Sequence, residues 1–248
     1  MRKKIIQSLS KTLVDKTKQD ISLIAITGFD ASGKTSLTKE LEEVLKTTTE
    51  RPVIKMSIDD FYNPQSMWKK KGADRALAWY QHGYNYTSLI ENTLRPIKEA
   101  CAQGKAANVP TKLFDRLKDI PLPPATENIP DNAIVLFDGI FLFRPVLKDF
   151  WDASIFVHAS IEALLQRGLV RDTGRIGTPE QVFAAYRDTY IGAHRFYMRE
   201  SRPYEMADIV IDNQDINQPS LCEENRRIEL DSLLHAELQE LPSWIYSS

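Results

Sequence analysis

The stretch GFDASGKT, residues 28–35, matches the pattern G-x-x-x-x-G-K-[S/T]. It follows ISLIAIT (21–27), an apolar, β-branched run typical of a buried strand, and it opens TSLTKELEEVLKTT (35–48), whose apolar residues recur at helical spacing. Glycines in such a unit let the backbone curl so that its N–H groups point at phosphate oxygens above the positive end of the helix. The stretch therefore predicts a nucleotide-phosphate site; the alternative is an ordinary glycine-containing turn.

Each position of this loop has an expected role. The Lys34 ammonium would reach the β- and γ-phosphates and the Thr35 hydroxyl would hold Mg²⁺, so ATP and Mg²⁺ are the expected cofactors. The guanine-reading pattern N-K-x-D does not occur in the chain, which disfavours a GTPase. The residues expected to surround the phosphates are Gly28, Asp30, Ala31, Ser32, Gly33, Lys34, Thr35 and Ser36.

The composition is that of an ordinary globular protein. Of 248 residues, 42% are hydrophobic and 27% charged, and 32 basic against 34 acidic residues give a net charge of −2, which argues against a general nucleic-acid surface. The longest apolar run, AIVLFDGIFLF (133–143), is too short to span a membrane. The N-terminal apolar residues suit one face of a packing helix rather than a signal peptide, and the two cysteines suggest idle thiols, so we expect a cytoplasmic protein. These residues are Ile5, Ile6, Leu9 and Leu13, with Cys101 and Cys222.

Strands and helices are predicted to alternate along the chain. Further strands are expected at 52–58, 133–138, 153–158 and 207–213, and further helices at 87–104 (capped by Thr87), 161–172, 179–202 and about 222–240. Residues 107–132 contain five of the 13 prolines and predict a loop or an edge hairpin. The alternation predicts an α/β fold whose parallel sheet is covered by helices on both faces, with ligands at the carboxyl ends of the strands.

Carboxylates follow two of these strands. A kinase needs a group that accepts the proton of the acceptor hydroxyl, and Asp59 is well placed for it, while Asp60 either points away or assists the metal. Asp138 follows IVLF (134–137) in the Walker-B manner and would anchor Mg²⁺ with Thr35, and Gly139 would let the chain turn close to the nucleotide. The alternative for any of these acids is a turn or N-cap carboxylate.

Arginines recur at four-residue spacing in QRGLVRDTGRIG (166–177). Like charges so placed on one helix face mildly destabilise an isolated helix. A lid that closes over the transferring phosphate would explain Arg167, Arg171 and Arg175, with Gly174 and Gly177 as hinges. The alternative is a solvated, charged face.

Together with SIDDFY (57–62), FDGIFLF (137–143) and residues 186–213, these segments resemble the uridine kinase / phosphoribulokinase family of P-loop kinases over about residues 20–213. The resemblance implies a three-layer P-loop NTPase fold with a five-stranded parallel sheet and a small arginine-bearing lid. It also implies transfer of the ATP γ-phosphate to a hydroxyl of a small molecule. We expect one domain over 1–248, with an acceptor-side insertion at about 62–132, a lid at about 167–178 and a helical tail at about 217–248.

The resemblance assigns roles residue by residue. Asp59 matches the catalytic aspartate and Tyr62 the tyrosine that lines the acceptor pocket. Arg171 and Arg175 match lid arginines, and Arg167 matches less closely. Asp138 stands where the family usually has glutamate, so we expect it to reach Mg²⁺ through water.

The acceptor-binding half of the uridine kinase pattern is missing. The segments YNYTSL (84–89) and PTKLFDRLKD (110–119) lack the aspartates that hold the ribose in uridine kinases and the Tyr, His and Arg of their pyrimidine-reading motif. Basic residues here either form a site for an acidic acceptor or are solvated charge: Lys69, Lys70, Lys71, Arg75, Lys112 and Arg116. Aromatic residues and a histidine either stack on a base or sugar or pack the insertion: Trp79, Tyr80, His82, Tyr84 and Tyr86.

The sequence thus predicts an ATP-dependent small-molecule kinase, a transferase whose best-guess acceptor is uridine or cytidine. Pantothenate, a sugar phosphate or a hydroxy acid are open alternatives. A regulatory nucleotide-binding protein and a hydrolysing P-loop ATPase are rivals from other classes. A mere binder needs neither Asp59 nor the lid arginines, and an ATPase should release phosphate without any acceptor. The expected partner is the acceptor, not nucleic acid or a membrane, and a homo-oligomer is left open.

Overall fold

The computed structural model describes residues 2–17, 20–69 and 74–239. Its strands are β1 (Ser22–Gly28), β2 (Val53–Ser57), β3 (Ala107–Asp115), β4 (Ile120–Ile129), β5 (Ile134–Gly139), β6 (Ala153–His158), β7 (Ile209–Asp212) and β8 (Ser220–Leu221). Its helices are α1 (Arg2–Lys16), α2 (Lys34–Thr48), α3 (Gln65–Trp68), α4 (Arg75–His82), α5 (Tyr86–Leu89), α6 (Arg95–Ala102), α7 (Ile161–Asp172), α8 (Pro179–Ala185), α9 (Ile191–Ser201), α10 (Pro203–Met206) and α11 (Glu224–Gln239).

The central sheet has the strand order β2-β5-β1-β6-β7-β8. The first five strands pair in parallel and are the five that the sequence predicts. The expected count of five is wrong, because β8 adds a sixth, antiparallel strand beside β7. With only two residues, β8 is too short to show the alternation by which strands are recognised in a sequence.

The sheet is covered on both faces, as the sequence predicts. Along β1, Leu23 and Ala25 enter the core beneath α4, α6, α7, α9 and α11, whereas Ile24 and Ile26 pack against α1 and α2. Each fully buried Leu or Ile contributes roughly 1.5–3 kcal/mol of transfer free energy, so the two apolar layers hold the strand ends in register. No helix in the described part of the chain is long and apolar enough to cross a membrane.

The proline-rich segment is a separate two-stranded sheet. Strands β3 and β4 pair antiparallel with irregular register near Pro110, so of the two predicted options the hairpin is correct. Two contacts fasten it over the end of β2: Lys112 Nζ lies 3.1 Å from Asp60 Oδ1, and Asp119 Oδ1 accepts a hydrogen bond from the Gln65 backbone at 3.0 Å.

Two helices are interrupted by single π-turns. Residues Ile90–Leu94 join α5 to α6, and Tyr186–Tyr190 join α8 to α9. The predicted cap at Thr87 is wrong, because Asn85 caps α5 by accepting from the Ser88 N–H at 2.9 Å. In the tail, α11 packs against α7, α9 and α10, and residues 240–248 lie outside the described part.

Candidate active site

The phosphate loop curls between β1 and α2 as predicted. Gly33 adopts φ +97°, and a Cβ there would lie 2.4 Å from Asn213 Nδ2, so both the backbone angle and the space require glycine. The Lys34 ammonium folds back onto the Phe29 carbonyl at 2.7 Å. No side chain caps the first turn of α2, which leaves its N–H groups directed into the loop.

Two distant residues hold this loop, and sequence reasoning missed both. Asn213, just past β7, donates from Nδ2 to the Ser32 carbonyl at 2.7 Å. His194 of α9 stacks on Phe29 with 3.7 Å between ring centroids, and its Nε2 lies 3.2 Å from both the backbone nitrogen and Oδ2 of Asp30. Asp30 is half-buried, and desolvation raises its pKa, yet His194 and Lys34 hold the pKa of its carboxyl well below the usual range. The carboxylate is therefore charged and fixed beside the phosphate site.

Thr35 and Asp138 meet at the mouth of the loop. The Thr35 hydroxyl donates to Asp138 Oδ2 at 2.9 Å, because α2 begins opposite the carboxyl end of β5. Burial lowers the pKa of Lys34, and the surrounding carboxylates Asp30, Asp138 and Asp59 oppose that shift. The predicted metal residues are thus adjacent.

Asp59 lies in a short 3₁₀ turn that follows β2 and is exposed to the cleft. Its Oδ1 accepts hydrogen bonds from the Tyr62 and Tyr84 hydroxyls, each at 3.0 Å. Burial raises the pKa of both phenols well above 10, and the charge of Asp59 adds to the effect, so both remain hydrogen-bond donors. Tyr84 comes from the segment for which the sequence suggested only stacking or packing.

Two further predictions concern residues near Asp59, namely Asp60 and Gly139. Asp60 points away from the cleft to Lys112, the first of the two predicted options. Gly139 lines the phosphate cavity, and its predicted closeness to the nucleotide stays a prediction; a Cβ there would lie 2.3 Å from Ile58 Cγ2. This glycine is needed so that β5 can pack against the turn that carries Asp59.

The predicted lid arginines converge on one carboxylate. Arg171 Nε lies 2.9 Å and Arg175 Nε 3.1 Å from Asp172 Oδ1, and the Tyr186 hydroxyl donates to Oδ2 at 2.9 Å. Asp172 is 1% exposed, and its hydrogen bonds with both arginines lower its pKa despite burial. The expectation of three arginines on one helix face is wrong, because α7 ends at Asp172 and Arg175 lies in the following turn.

Arg167 lies apart from the other arginines. Its guanidinium donates to the backbone carbonyls of Asn213 and Gln214 at 2.9 and 2.8 Å. It lines a shallow hollow with Val170 and Arg171 on the outer side of α7.

Two adjoining cavities occupy the cleft. The phosphate cavity, about 310 Å³, brings together half of the predicted site residues and is lined by Asp30, Lys34, Thr35, Asp59, Asp138, Arg171, Arg175 and Arg116. The acceptor cavity, about 200 Å³, is lined by Tyr62, Trp68, Lys69, Trp79, Phe114, Arg116, Arg175 and Tyr190. A larger cavity of about 540 Å³ beside α11 is bordered by four carboxylates and one arginine, so it does not suit a phosphate.

The structure places the residues predicted as candidates for acceptor binding in different surroundings. Trp79, Tyr80 and Tyr84 are buried core residues, which supports packing of the insertion. Lys69 lines the acceptor cavity beside Trp68, Lys112 is taken by Asp60, and Arg116 reaches both cavities. Lys70 and Lys71 lie outside the described residues.

Known proteins share this arrangement of segments. The family model described as "Phosphoribulokinase / Uridine kinase family" matches residues 23–217, well over half of the chain. Uridine-cytidine kinase 2-B of Danio rerio is 30% identical over 200 residues, covering 76% of this chain and 72% of that protein. Uridine-cytidine kinase B of Dictyostelium discoideum is 28% identical over 194 residues, covering 76% and 73%.

The fold has solved counterparts. The structure of a possible uridine kinase from Bacillus stearothermophilus aligns with a TM-score of 0.62 at 19% identity, covering 83% of this chain and 96% of that one. At this identity the likeness concerns the fold alone.

These findings confirm the predicted enzyme class. The protein is a kinase, a phosphotransferase with a hydroxyl group as acceptor, and ATP use follows from that class. The alternatives from other classes are not favoured. Its sequence match over residues 23–217, together with the phosphate loop and the facing carboxylates, means that the chain belongs to the phosphoribulokinase / uridine kinase family.

Proposed function

We propose that this protein transfers the γ-phosphate of ATP to a hydroxyl of a nucleoside, with uridine and cytidine as the first acceptors to test. The observation that supports phosphoryl transfer is the position of Asp59. It lines the phosphate cavity together with Lys34 and Thr35, and its carboxylate is oriented by two tyrosine hydroxyls. The nucleoside part rests on relatives that are named uridine-cytidine kinases. A cytoplasmic location is part of the same proposal.

The phosphate loop binds the triphosphate. Backbone N–H groups at the start of α2 and the Lys34 ammonium point at its oxygens, and Lys34 exchanges the Phe29 carbonyl for phosphate. Gly28, Ala31, Ser32, Gly33 and Ser36 form the rest of this cradle. Arg167 is linked to it through Asn213, which accepts from Arg167 and donates to the Ser32 carbonyl.

The residues at the mouth of the loop fit Mg²⁺. A hydroxyl and a carboxylate oxygen 2.9 Å apart, Thr35 Oγ1 and Asp138 Oδ2, are the hard oxygen donors that this ion takes in phosphate sites. When bound there, the ion neutralises charge on the phosphates. In this structure Asp138 Oδ2 accepts the hydrogen bond of the Thr35 hydroxyl.

Asp59 acts as the general base. Its Oδ1 is held by Tyr62 and Tyr84, and the residue lines the phosphate cavity, so its other oxygen, Oδ2, accepts the proton of the attacking hydroxyl. Tyr62 also lines the acceptor cavity. Arg171 and Arg175 leave Asp172 to neutralise the transferring phosphoryl group, so residues 167–178 act as the lid.

The test is an acceptor panel with purified protein and Mg·ATP: uridine, cytidine, pantothenate, a sugar phosphate and a hydroxy acid. We expect ADP to form at a rate that depends on a nucleoside, with a phosphorylated nucleoside as product. ADP formed equally with and without every acceptor would show hydrolysis. Acceptor-dependent ADP with a non-nucleoside alone would disprove the nucleoside part and keep the kinase.

The matched variants are Asp59→Asn and Asp60→Asn. Removing the base should lower kcat by about 10²–10⁴-fold while ATP affinity, measured by calorimetry, changes little. Asp60→Asn removes a neighbouring carboxylate that binds Lys112 and should keep most of the turnover. Normal turnover by Asp59→Asn would overturn the assignment of the base.

A further inference from the structure

Arg116 occupies the boundary between the two cavities of the cleft. It lies at the tip of the β3–β4 hairpin and lines both the phosphate cavity and the acceptor cavity. In the described part of the chain, only Arg175 shares that position. The boundary is where a phosphoryl group passes from ATP to the acceptor.

The hairpin tip is fixed on both sides of Arg116. Lys112 pairs with Asp60, and Asp119 accepts from the Gln65 backbone. Within the turn, Asp115 Oδ1 accepts from the Leu117 and Lys118 N–H groups at 3.0 and 3.1 Å. The Arg116 guanidinium then lies over the Tyr62 ring, 4.6 Å from its centroid, next to the base Asp59.

The other charged groups of the phosphate cavity have polar partners in this structure. Asp30 pairs with His194, Asp59 with two tyrosines, Asp138 with Thr35, Lys34 with the Phe29 carbonyl, and Arg171 and Arg175 with Asp172. Arg116 lies against the aromatic ring of Tyr62, and it has no hydrogen-bonding or carboxylate partner among the described residues. Its guanidinium is half-buried at the cavity boundary, and its N–H donors remain available to a ligand there.

We propose that Arg116 is a catalytic residue that binds the transferring γ-phosphoryl group from the acceptor side. The inference rests on the proposed phosphoryl transfer but not on the nucleoside. In that step the acceptor oxygen forms a bond to the γ-phosphorus, the bond to the β-phosphate oxygen breaks, the hydroxyl proton goes to Asp59 and ADP leaves. Negative charge spreads over the equatorial oxygens of the phosphoryl group, and the planar fork of a guanidinium matches them.

Arg116 differs from the lid arginines in its starting state. Arg171 and Arg175 must first give up Asp172, whereas Arg116 already points into the boundary and gives up no carboxylate. Preorganised charge of this kind costs no rearrangement at the moment of transfer. The hairpin thus supplies a fixed positive charge opposite a movable lid.

The test compares Arg116→Gln and Arg116→Lys with Lys118→Gln. Lys118 lies in the same turn, its side chain is 73% exposed and its ammonium faces Asp115, so its replacement removes equal charge from the hairpin surface. We expect Arg116→Gln to lower kcat by about 100-fold or more, with small changes in the KM values for ATP and acceptor. Arg116→Lys should recover part of kcat, because it restores the charge but not the fork. Lys118→Gln should behave as wild type.

A second measurement needs no acceptor. ADP with tetrafluoroaluminate mimics the transferring phosphoryl group, and its affinity for Arg116→Gln should fall by a factor similar to kcat while the affinity for ADP alone stays constant. A rise in acceptor KM with unchanged kcat, or unchanged fluoroaluminate affinity, would overturn the proposal. If Arg116→Gln unfolds, Arg116→Lys decides by the same two readouts. Failure of every nucleoside in the panel leaves the fluoroaluminate result intact, so the two proposals fail separately.

Discussion

The orientation of Asp59 depends on two tyrosine hydroxyls that are close in space and separated along the chain. Tyr62 lies three residues after Asp59 and could be assigned from the family resemblance. Tyr84 could not, because an isolated backbone bridge between Tyr62 and Tyr84 is what brings it to the carboxylate. The proposed base can therefore be picked out from the sequence, whereas the orientation of its carboxylate depends on the fold.

The Tyr84→Phe variant tests this orientation. A hydrogen bond to a charged group contributes about 1.5–3 kcal/mol, so its loss should lower kcat by roughly 10- to 100-fold with ATP affinity unchanged. The control is Tyr86→Phe, which removes a nearby hydroxyl that does not bond Asp59. Steady-state kinetics of both variants decide, and equal losses would mean that the aromatic cluster matters only as packing.

At the scale of elements, the sequence predicts most helices and strands because each has a local signal. Helix α7 begins and ends at the predicted residues, and the apolar pattern after Pro179 gives α8 and α9. The position of Arg175 could not be predicted from four-residue spacing. The helix stops at Asp172, and Gly174 turns the chain with φ +79°.

The contact between α7 and the π-turn at Tyr186 gives an element-scale prediction. A Cβ on Gly168 would lie 2.3 Å from Tyr186 Cζ, and the hydroxyl of that ring bonds Asp172. Helix propensity alone favours Gly168→Ala by up to about 1 kcal/mol. The overlap should outweigh it and destabilise the protein by about 1–3 kcal/mol.

Urea unfolding of wild type and Gly168→Ala shows whether the substitution lowers or raises the free energy of unfolding. The opposite outcome, a variant as stable as wild type or more stable, would mean that the helix and the turn are farther apart than in this structure. A variant that is destabilised should also lose turnover, because displacement of Tyr186 disturbs the carboxylate that holds Arg171 and Arg175.

At the scale of the molecule, the sequence could predict units but not the contacts between them. The phosphate loop is recognised as strand, loop and helix, yet Asn213 and His194 reach it only through the fold: Asn213 follows β7, which is separated from β1 by β6, and His194 lies on α9. The strand order places them there, and no local pattern marks either residue. The two-residue β8 escaped prediction for the same reason.

Stability of the whole molecule should fall in mild acid because of His158. Burial lowers the pKa of this residue to about 4, with Arg226 acting in the same direction and Asp212 opposing it. Between pH 6.5 and 4 the unfolded chain therefore binds a proton that the folded protein does not, so the free energy of unfolding decreases as the pH falls. The full shift corresponds to roughly 3 kcal/mol.

Chemical denaturation of wild type and His158→Gln at pH 7.5 and 4.5 isolates this contribution from that of the carboxylates. We expect the wild type to lose more stability than the variant over that interval. Parallel losses would show that the histidine is protonated in the folded protein too. The variant also removes the hydrogen bond to Tyr204, so it should be less stable at pH 7.5.

Helix α9 contacts both the phosphate loop and helix α4, which lies on the proposed acceptor side. On one side His194 holds Phe29 and Asp30 of the phosphate loop, and on the other Phe196 stacks on Tyr80 of α4 with ring centroids 5.9 Å apart. A displacement of α9 would therefore move its contacts with the phosphate loop and with the residues proposed to bind the acceptor. We therefore expect occupancy of either region to change the affinity of the other by an equal factor, which equilibrium binding of ATP and of the acceptor, each measured with and without the other, would show.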